Sequence, residues 1–256
     1  MVVKSSFLKV QGLEGKTVIV TGSGRGIGAA IAIGFARAGS RIIAIDLKEP
    51  STLLEGTDGA DAVVVPVALD ITRHKIVIST ISELVLRYGP PDILINNAGI
   101  IARGTIEDLT YQDWLSVLDV NLNGVFNMCK AVIPHMKKRK SGTILNITSI
   151  AGKMGDITAA PVYGASKGAV NTLTRSLARQ LAVYNIRVNA IAPHAVNTDM
   201  SASWSPDKRR SVIESIPLKR LAQPSEIADA ALFLASDNAS FITGEILNIN
   251  GGTLMD

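Results

Sequence analysis

A phenol and an amine lie four residues apart, at Tyr163 and Lys167, in a segment of helical period. Residues at this spacing are neighbours on one face of a helix. A free phenol has a pKa near 10, and a neighbouring cation favours its ionised form. Ser149, fourteen residues earlier, adds a hydroxyl that could reach the same place. These residue types suit proton transfer to or from an oxygen, although a lone Tyr/Lys pair is usually an exposed surface pair.

A glycine-rich turn with the sequence TGSGRGIG occupies residues 21–28, between a predicted strand and a predicted helix. Its glycines allow the backbone to approach a pyrophosphate, whose charge meets free N–H groups at the helix N-terminus. Asp46 lies eighteen residues after Gly28, at the end of the second predicted strand, and could accept hydrogen bonds from an adenosine ribose. A glycine turn alone has purely structural uses, but this context predicts nucleotide binding.

Short apolar runs alternate with longer segments of helical period, which predicts strands and helices in turn along the whole chain. The predicted strands are residues 17–21, 41–46, 62–69, 92–96, 143–149, 186–192 and 246–250. The predicted helices are residues 26–38, 72–88, 111–138, 162–183 and 224–235. This alternation indicates an α/β fold: a Rossmann-type, doubly wound parallel sheet of about seven strands with helices on both faces.

Unusual polar residues lie where several of these strands end. They are Asp46, Asp70, Asn97, Ser149 and His194, the last directly after Pro193. Ligands of open α/β sheets bind at the carboxyl edge, so we expect one site along it. Residues 194–221 break the alternation and contain the isolated Trp204, which predicts a lid over that site.

Composition limits the possible classes of protein. Hydrophobic residues make up 47% of the 256 residues and aromatic residues 4%, which indicates a large aliphatic core and a single domain over residues 1–256. Cys129 is the single cysteine, so an internal disulfide is excluded and a zinc site is not expected. We expect no other metal site. The start of the chain does not resemble a signal peptide, and no apolar run is long enough for a membrane span. We therefore expect a cytoplasmic protein that binds neither membrane nor nucleic acid.

Taken together, TGSGRGIG, NNAG at residues 96–99, Asn121, Ser149, YGASK at residues 163–167 and a late IAP–T segment resemble the short-chain dehydrogenase/reductase family. The motifs occur in the usual order and spacing of that family, and the match covers residues 12–252. The resemblance implies an NAD(P)-dependent enzyme that interconverts a secondary alcohol and a ketone by hydride transfer.

The resemblance also implies roles for particular residues. Tyr163 would be the general acid/base, and Lys167 would lower its pKa and hold the nicotinamide ribose. Ser149 would hydrogen-bond the reacting oxygen, and Asn121 would distort its helix and retain a proton-relaying water. Asp70 would contact the adenine, and it could also cap the helix near residue 72, since both roles can hold together. The full expected cofactor-binding set is Gly22, Ser23, Arg25, Gly26, Ile27, Gly28, Asp46, Asp70, Ile71, Asn97, Ala98, Gly99, Tyr163, Lys167, Pro193, Val196 and Thr198.

Two residues influence the choice of cofactor in opposite directions. The carboxylate of Asp46 would repel the 2′-phosphate of NADP, a repulsive element of the kind that decides selectivity. Arg25 occupies a position where NADP enzymes of the family often carry a basic residue, but it could pair with Asp46 or point to solvent. We therefore predict that NAD is preferred and that NADP is possible.

The expected substrate is a sugar, a polyol or a similar small hydroxy compound, because Asp46 favours the NAD-linked oxidative members of the family. The alternative is an NADPH-dependent 3-oxoacyl-acyl-carrier-protein reductase of fatty acid synthesis. Ser149, Tyr163 and His194 would bind the substrate. His194 stands where the family usually has glycine, so it either shapes specificity or is a tolerated loop substitution.

Two further expectations concern the whole protein. Relatives commonly form homotetramers through helices that correspond to residues 111–138 and 162–183, so we expect a homo-oligomer. A different class of function is a non-catalytic dinucleotide-binding sensor. The presence of Asn121, Ser149, Tyr163 and Lys167 argues against it.

Overall fold

A computed structural model describes residues 10–50, 53, 63–155 and 159–256. The first nine residues, which belong to the segment judged not to be a signal peptide, lie outside the described residues. Ala62, the first residue of the third predicted strand, also lies outside them.

Seven strands form one parallel sheet in the order β3-β2-β1-β4-β5-β6-β7. They are β1 Thr17–Thr21, β2 Arg41–Asp46, β3 Val64–Ala68, β4 Ile93–Asn96, β5 Gly142–Ile147, β6 Ile186–Pro193 and β7 Ile246–Ile249. The order reverses between β1 and β4, which creates a crevice at the carboxyl ends of these two strands. The predicted doubly wound α/β fold is confirmed, with small differences at the strand ends.

Nine α-helices connect and flank the strands within the described residues. They are α1 Gly26–Arg37, α2 His74–Tyr88, α3 Tyr111–Leu118, α4 Gly124–Arg139, α5 Ala151–Met154, α6 Pro161–Leu181, α7 Asp199–Ala202, α8 Pro206–Ser215 and α9 Pro224–Ala235. Proline begins α6, α8 and α9, where its missing N–H costs no helical hydrogen bond. Thr110 caps α3 by accepting a hydrogen bond from the Asp113 N–H.

The long helix predicted over residues 111–138 is wrong in one respect. A π-helical turn, Asp119–Asn123, separates α3 from α4. Asn121 lies in this turn with its side chain completely buried. The extra residue in a π-turn shifts the side chains that follow, and such turns are frequent at functional sites.

The core consists of two aliphatic layers, one on each face of the sheet. Alternate residues of β1 show this division, because Val18 and Val20 pack with α1 and α9 while Ile19 packs with α2, α4 and α6. Phe35 is the largest fully buried side chain of the described residues. Burial on both faces explains why the strand sequences are continuous apolar runs.

No described helix combines the length and the apolar character needed to cross a membrane. No group of three or more His, Cys, Asp or Glu residues in the described part of the chain could hold a metal ion.

Candidate active site

The glycine-rich turn follows β1 directly and leads into α1. Gly22 and Gly26 have positive φ angles of 64° and 57°, which favour glycine. At Gly28 the requirement is one of space, because a Cβ there would lie 2.0 Å from the carbonyl oxygen of Gly22. Ser23 is fully buried, and its N–H and hydroxyl both donate to the carbonyl of Ile45. Ser23 and Gly28 therefore shape the turn and do not line the cavity, contrary to the expectation of direct cofactor contact.

The N-terminus of α1 is open to an anionic ligand. Arg25 occupies the cap position without a capping hydrogen bond from its side chain, and the first turn of the helix contains no acidic residue. The first N–H groups of a helix have no helical acceptors, and they carry a partial positive charge. A close backbone cradle with unsatisfied donors fits the pyrophosphate of a dinucleotide.

Asp46 ends β2 with its carboxylate held by the backbone. Its Oδ2 accepts a hydrogen bond of 2.8 Å from the N–H of Gly24, and its Oδ1 accepts one of 2.7 Å from the N–H of Leu47. Arg25 was expected to pair with Asp46 or to point to solvent; its side chain is 79% exposed to solvent and also contacts Asp199 at 3.3 Å. Asp199 belongs to α7 and so comes from the segment predicted to be the lid.

Asp70 follows β3 and stabilises the turn before α2. Its Oδ1 accepts hydrogen bonds from the N–H of Thr72 at 2.9 Å and from the Thr72 hydroxyl at 2.7 Å. The helix begins only at His74, and Arg73 is the residue at its cap position. The expectation that Asp70 caps this helix is therefore wrong, because its side chain accepts hydrogen bonds from Thr72, before the helix begins at His74.

The NNAG segment joins the ends of β4 and β1. The side-chain amide of Asn97 donates to the carbonyls of Thr21 and Gly22 at 3.0 and 2.9 Å. Ala98 packs so closely that a Cβ on Gly22 would lie 2.7 Å from its Cα. The segment therefore fixes the position of the glycine-rich turn relative to the rest of the sheet edge.

Asn121 connects the π-helical turn to the loop after β4. Its Oδ1 accepts from the N–H of Ile100 at 2.8 Å, and its Nδ2 donates to the carbonyl of the same residue at 2.9 Å. Nδ2 also donates to the hydroxyl of Ser166 on α6 at 3.1 Å. Asn121 does not line the cavity and lies behind it. It holds together three elements of the site: the loop, the π-helical turn and α6.

Tyr163, Lys167 and Ser149 meet on the inner wall of the cavity. The Lys167 Nζ lies 5.8 Å from the centroid of the Tyr163 ring and donates to the carbonyl of Ile147 at 2.9 Å. The hydroxyl oxygen of Ser149 accepts from the N–H of Ala151 at 3.1 Å, so its own proton can be donated to a ligand. The spacing of Tyr163 and Lys167 thus makes the two side chains neighbours on one face of α6, as the sequence predicted.

Lys167 carries a buried amine. Only 6% of the residue is exposed. This desolvation disfavours the ammonium form and lowers the pKa of Lys167 from 10.5 to about 8. At neutral pH the group still carries its charge, and burial makes that charge act strongly on its neighbours.

The cavity has a volume of about 630 Å³. Nearly all the sequence-predicted residues line it, and the three that do not are Ser23, Gly28 and Asn121. The lining residues that were predicted are Gly22, Arg25, Gly26, Ile27, Asp46, Asp70, Ile71, Asn97, Ala98, Gly99, Ser149, Tyr163, Lys167, Pro193, His194, Val196 and Thr198. One continuous cavity therefore connects the glycine-rich turn to the Tyr163 hydroxyl region.

Sequence reasoning missed several apolar lining residues. Ile100 and Ile101 come directly after NNAG, and Val120 precedes Asn121. Met200, in the lid segment, was missed as well, whereas Trp204 was predicted as part of the lid and does line the cavity. The two isoleucines directly after NNAG could have indicated apolar lining residues in this loop. No local pattern in the sequence indicates that Met200 lines the cavity.

His194 is held by the C-terminal turn of the chain. Its Nδ1 lies 3.2 Å from the hydroxyl of Thr253, and its N–H donates to the carbonyl of Ile249. His194 lines both the main cavity and a second cavity of about 100 Å³. Thr253 was not predicted, because it is distant from His194 in sequence.

Comparisons with known proteins are consistent with this geometry. Residues 22–253 match a family model described as enoyl-(acyl carrier protein) reductase. A 3-oxoacyl-(acyl-carrier-protein) reductase FabG of Thermotoga maritima is 37% identical over 245 residues, which cover 95% of this chain and 99% of that protein. The protein of the same name from Escherichia coli is 37% identical over 243 residues, or 94% of this chain and 98% of that protein.

Solved structures give the same result. The crystal structure of a 3-oxoacyl-(acyl-carrier protein) reductase from Brucella melitensis matches with a TM-score of 0.91 and 34% identity. The match covers 97% of this chain and 95% of that chain. A second crystal structure, of a protein called gox2181, matches with a TM-score of 0.89 and 35% identity, over 94% of this chain and 96% of that chain.

Proposed function

The chain belongs to the short-chain dehydrogenase/reductase family, whose members are nicotinamide-dependent oxidoreductases, and on this basis we propose that it reduces the ketone of a 3-oxoacyl thioester. The product is the corresponding 3-hydroxyacyl thioester, and acyl carrier protein carries the acyl group. The observation that carries the chemistry is the meeting of Ser149, Tyr163 and buried Lys167 in one cavity with the glycine-rich turn.

The expectation of a sugar or polyol dehydrogenase is wrong. Curated relatives at 36–37% identity over nearly the whole chain are 3-oxoacyl-(acyl-carrier-protein) reductases. That expectation rested on Asp46, which lies at the predicted ribose site. A residue at the adenosine end of the cavity bears on the cofactor and carries no information about the substrate at the other end.

In the proposed mechanism the Ser149 hydroxyl donates a hydrogen bond to the ketone oxygen. The Tyr163 phenol donates its proton to that oxygen as negative charge develops there. A nicotinamide held in this cavity would supply the hydride that the ketone carbon accepts. The Lys167 ammonium lies beside the Tyr163 ring and stabilises the phenolate that proton donation leaves behind. Asn121 acts indirectly, by fixing Ile100 and α6 around these groups.

The same site would hold the dinucleotide through its backbone. The N-terminus of α1 would bind the pyrophosphate, and the fixed carboxylate of Asp46 would accept hydrogen bonds from the adenosine ribose. A carboxylate held by two N–H groups cannot move away from a 2′-phosphate without losing both bonds. This supports a preference for NADH over NADPH in the proposed reaction.

We also propose that residues 194–221 close over the acyl substrate, within a single domain. Met200 and Trp204 line the same cavity as Tyr163, on the side that faces it from the lid segment. An apolar lid suits an acyl chain better than it suits a polyol.

Turnover tests the proposed reaction. We expect the protein to turn over acetoacetyl thioesters with NADH faster than it turns over sugars, polyols and simple secondary alcohols. The absorbance of the reduced nicotinamide follows each reaction. Tyr163→Phe should lower kcat by roughly 10²- to 10⁴-fold, because it removes the general acid. The control is Tyr111→Phe, which changes an exposed phenol and should leave turnover unchanged. Wild-type protein that binds NADH but reduces no thioester would favour the sensor alternative and contradict the proposal.

A second substitution tests the proposed preference for NADH over NADPH. Asp46→Ala removes the charge that repels the 2′-phosphate, so the ratio of kcat/KM for NADPH to that for NADH should rise by tenfold or more, an order-of-magnitude expectation. If NADPH gains nothing relative to NADH, the repulsion argument is wrong, whatever the substrate proves to be.

A further inference from the structure

The contact between Arg25 and Asp199 joins two separate parts of the cavity wall. Arg25 belongs to the glycine-rich turn and Asp199 to the first turn of α7, and the two residues are 174 positions apart in sequence. Their charged atoms lie 3.3 Å apart, and both side chains line the main cavity. Each side chain remains largely exposed, at 79% and 70%, so a ligand can reach the pair.

The backbone around Asp199 is ordered by its own hydrogen bonds. Thr198 and Ser201 form a reciprocal capping box at the start of α7. The Thr198 N–H donates to the Ser201 hydroxyl at 3.0 Å, and Ser201 is 2% exposed. A Cβ built on Gly26 would lie 3.4 Å from the Thr198 methyl group, so this turn packs directly against the glycine-rich turn. The Asp199 carboxylate is therefore presented at a defined place beside Arg25.

Arg25 is also close to the expected ribose site. It directly follows Gly24, whose N–H donates to the Asp46 carboxylate. Consecutive Cα atoms are about 3.8 Å apart, so the long Arg25 side chain begins within reach of a group bound at Asp46. A guanidinium at such a place is well suited to a phosphate, to which it can donate two parallel hydrogen bonds.

We propose that Asp199 is a specificity-determining residue that acts by positioning Arg25: it holds the guanidinium on the lid and so withholds it from the 2′-phosphate of NADP. This inference rests on the proposed nicotinamide cofactor and extends it. Asp46 repels the 2′-phosphate directly, whereas Asp199 competes with that phosphate for its cation. Two carboxylates on different elements would thus favour NAD by different means.

Binding of two cofactor fragments tests this role without catalysis. Calorimetry gives the Kd of ADP-ribose and of 2′-phospho-ADP-ribose for wild-type protein and for Asp199→Asn. Relative to ADP-ribose, we expect the variant to bind the phosphorylated fragment roughly threefold to tenfold more tightly. The effect is of this size because a single exposed ion pair is weak and the 2′-phosphate that competes for Arg25 is doubly charged. Asp199→Glu, which keeps the charge, should retain the wild-type ratio.

Controls separate this effect from general changes in charge. Asp207→Asn removes a carboxylate of α8 that is 92% exposed and pairs with Arg210, so it should leave the ratio unchanged. In an Arg25→Ala background, Asp199→Asn should lose most of its effect, because the two changes act through one contact. The effect should also shrink in high salt, which screens exposed charges.

Three results would overturn the inference while leaving the dinucleotide site itself intact. They are an unchanged ratio in Asp199→Asn, an equal change in Asp207→Asn, and a full effect that persists without Arg25. Failure to reduce thioesters would not affect these measurements, so it counts against the proposed substrate alone. If neither fragment binds to wild-type protein, the dinucleotide site itself is wrong, and this inference fails with it.

Discussion

At the scale of single residues, the site depends on where charge is buried. Lys167 is buried and retains a hydrogen bond to the Ile147 carbonyl, whereas Arg25 and Asp199 remain exposed. Burial lowers the pKa of Lys167 to about 8 and concentrates its field on Tyr163. A buried ammonium costs stability, so this residue serves the site at the expense of the fold.

The titration of Lys167 predicts a pH-dependent stability. The folded-state pKa of about 8 lies below the ordinary value of 10.5, so the unfolded chain binds more protons between these two pH values. Stability therefore rises with pH across this window, by about 3 kcal/mol in total. Lys167→Met lacks this contribution. The free energy of unfolding in urea, wild type minus variant, should thus be about 2 to 3 kcal/mol more positive at pH 10 than at pH 7.

Lys130→Met is the matched control for this experiment, because Lys130 is exposed on α4. Its difference from wild type should be the same at both pH values. An equal difference for Lys167→Met at pH 7 and pH 10 would show that Lys167 is not desolvated as described.

Two features of the sequence needed reinterpretation at this scale. Asp70 was an expected helix cap, but its carboxylate is occupied by Thr72 before α2 begins. Arg25 was expected to pair with Asp46 or to point to solvent; it is largely exposed to solvent, and its charged partner is Asp199. In both cases the residue type correctly indicated a side chain that would form polar contacts. The partner depended on backbone positions that the spacing of residues along the sequence does not give.

At the scale of elements, glycine and asparagine bring separate segments into contact. Gly28 allows α1 to pack against the Gly22 carbonyl, which also accepts a hydrogen bond from the Asn97 amide. Asn121 joins the π-helical turn to Ile100. A single uninterrupted helix was predicted there because its apolar periodicity is helical on both sides of the turn.

The packing at Gly28 gives a prediction for the glycine-rich turn. A methyl group in Gly28→Ala would lie 2.0 Å from the Gly22 oxygen and 2.4 Å from the Asn97 Nδ2, so the turn must move. We expect a loss of about 1 to 3 kcal/mol in the free energy of unfolding, as for other overpacked sites. The affinity for ADP-ribose, measured by calorimetry, should fall by tenfold or more, an order-of-magnitude expectation for a displaced anion-binding turn.

The control for this variant lies on the same helix. A methyl group in Gly34→Ala would meet only flexible side chains, the nearest being the Leu232 Cδ1 at 3.0 Å, and alanine favours the helix. Its affinity for ADP-ribose should equal that of wild type. Unchanged affinity in Gly28→Ala would mean that the turn does not need this close packing.

At the scale of the whole molecule, the parallel sheet gathers the site. All seven strands run in the same direction, so residues that follow β1 to β6 meet at one edge although they lie far apart in sequence. Residues of the segment after β6 line the same cavity, and the C-terminal turn contacts one of them, His194, through Thr253. The homotetramer and the cytoplasmic location expected from the sequence stay predictions.

The sequence by itself determined the fold, through its local periodicity, and the family, through motifs that resemble those of the short-chain dehydrogenase/reductases. It also indicated the types of the candidate reacting groups, through the spacing of Tyr163 and Lys167 within one helix. It also determined that these groups would share one edge, since parallel strands leave no other arrangement for residues at their carboxyl ends. It did not determine the substrate, which the sequence alone assigned wrongly from Asp46.

Only the tertiary structure decided the burial of Lys167, the form and bounds of the helix distortion at Asn121, the pairing of Arg25 with Asp199 and the contact of His194 with Thr253. The physical reason is the same in each case. Desolvation and pairing depend on how segments that are distant in sequence pack against each other, and no local pattern in the chain records those distances.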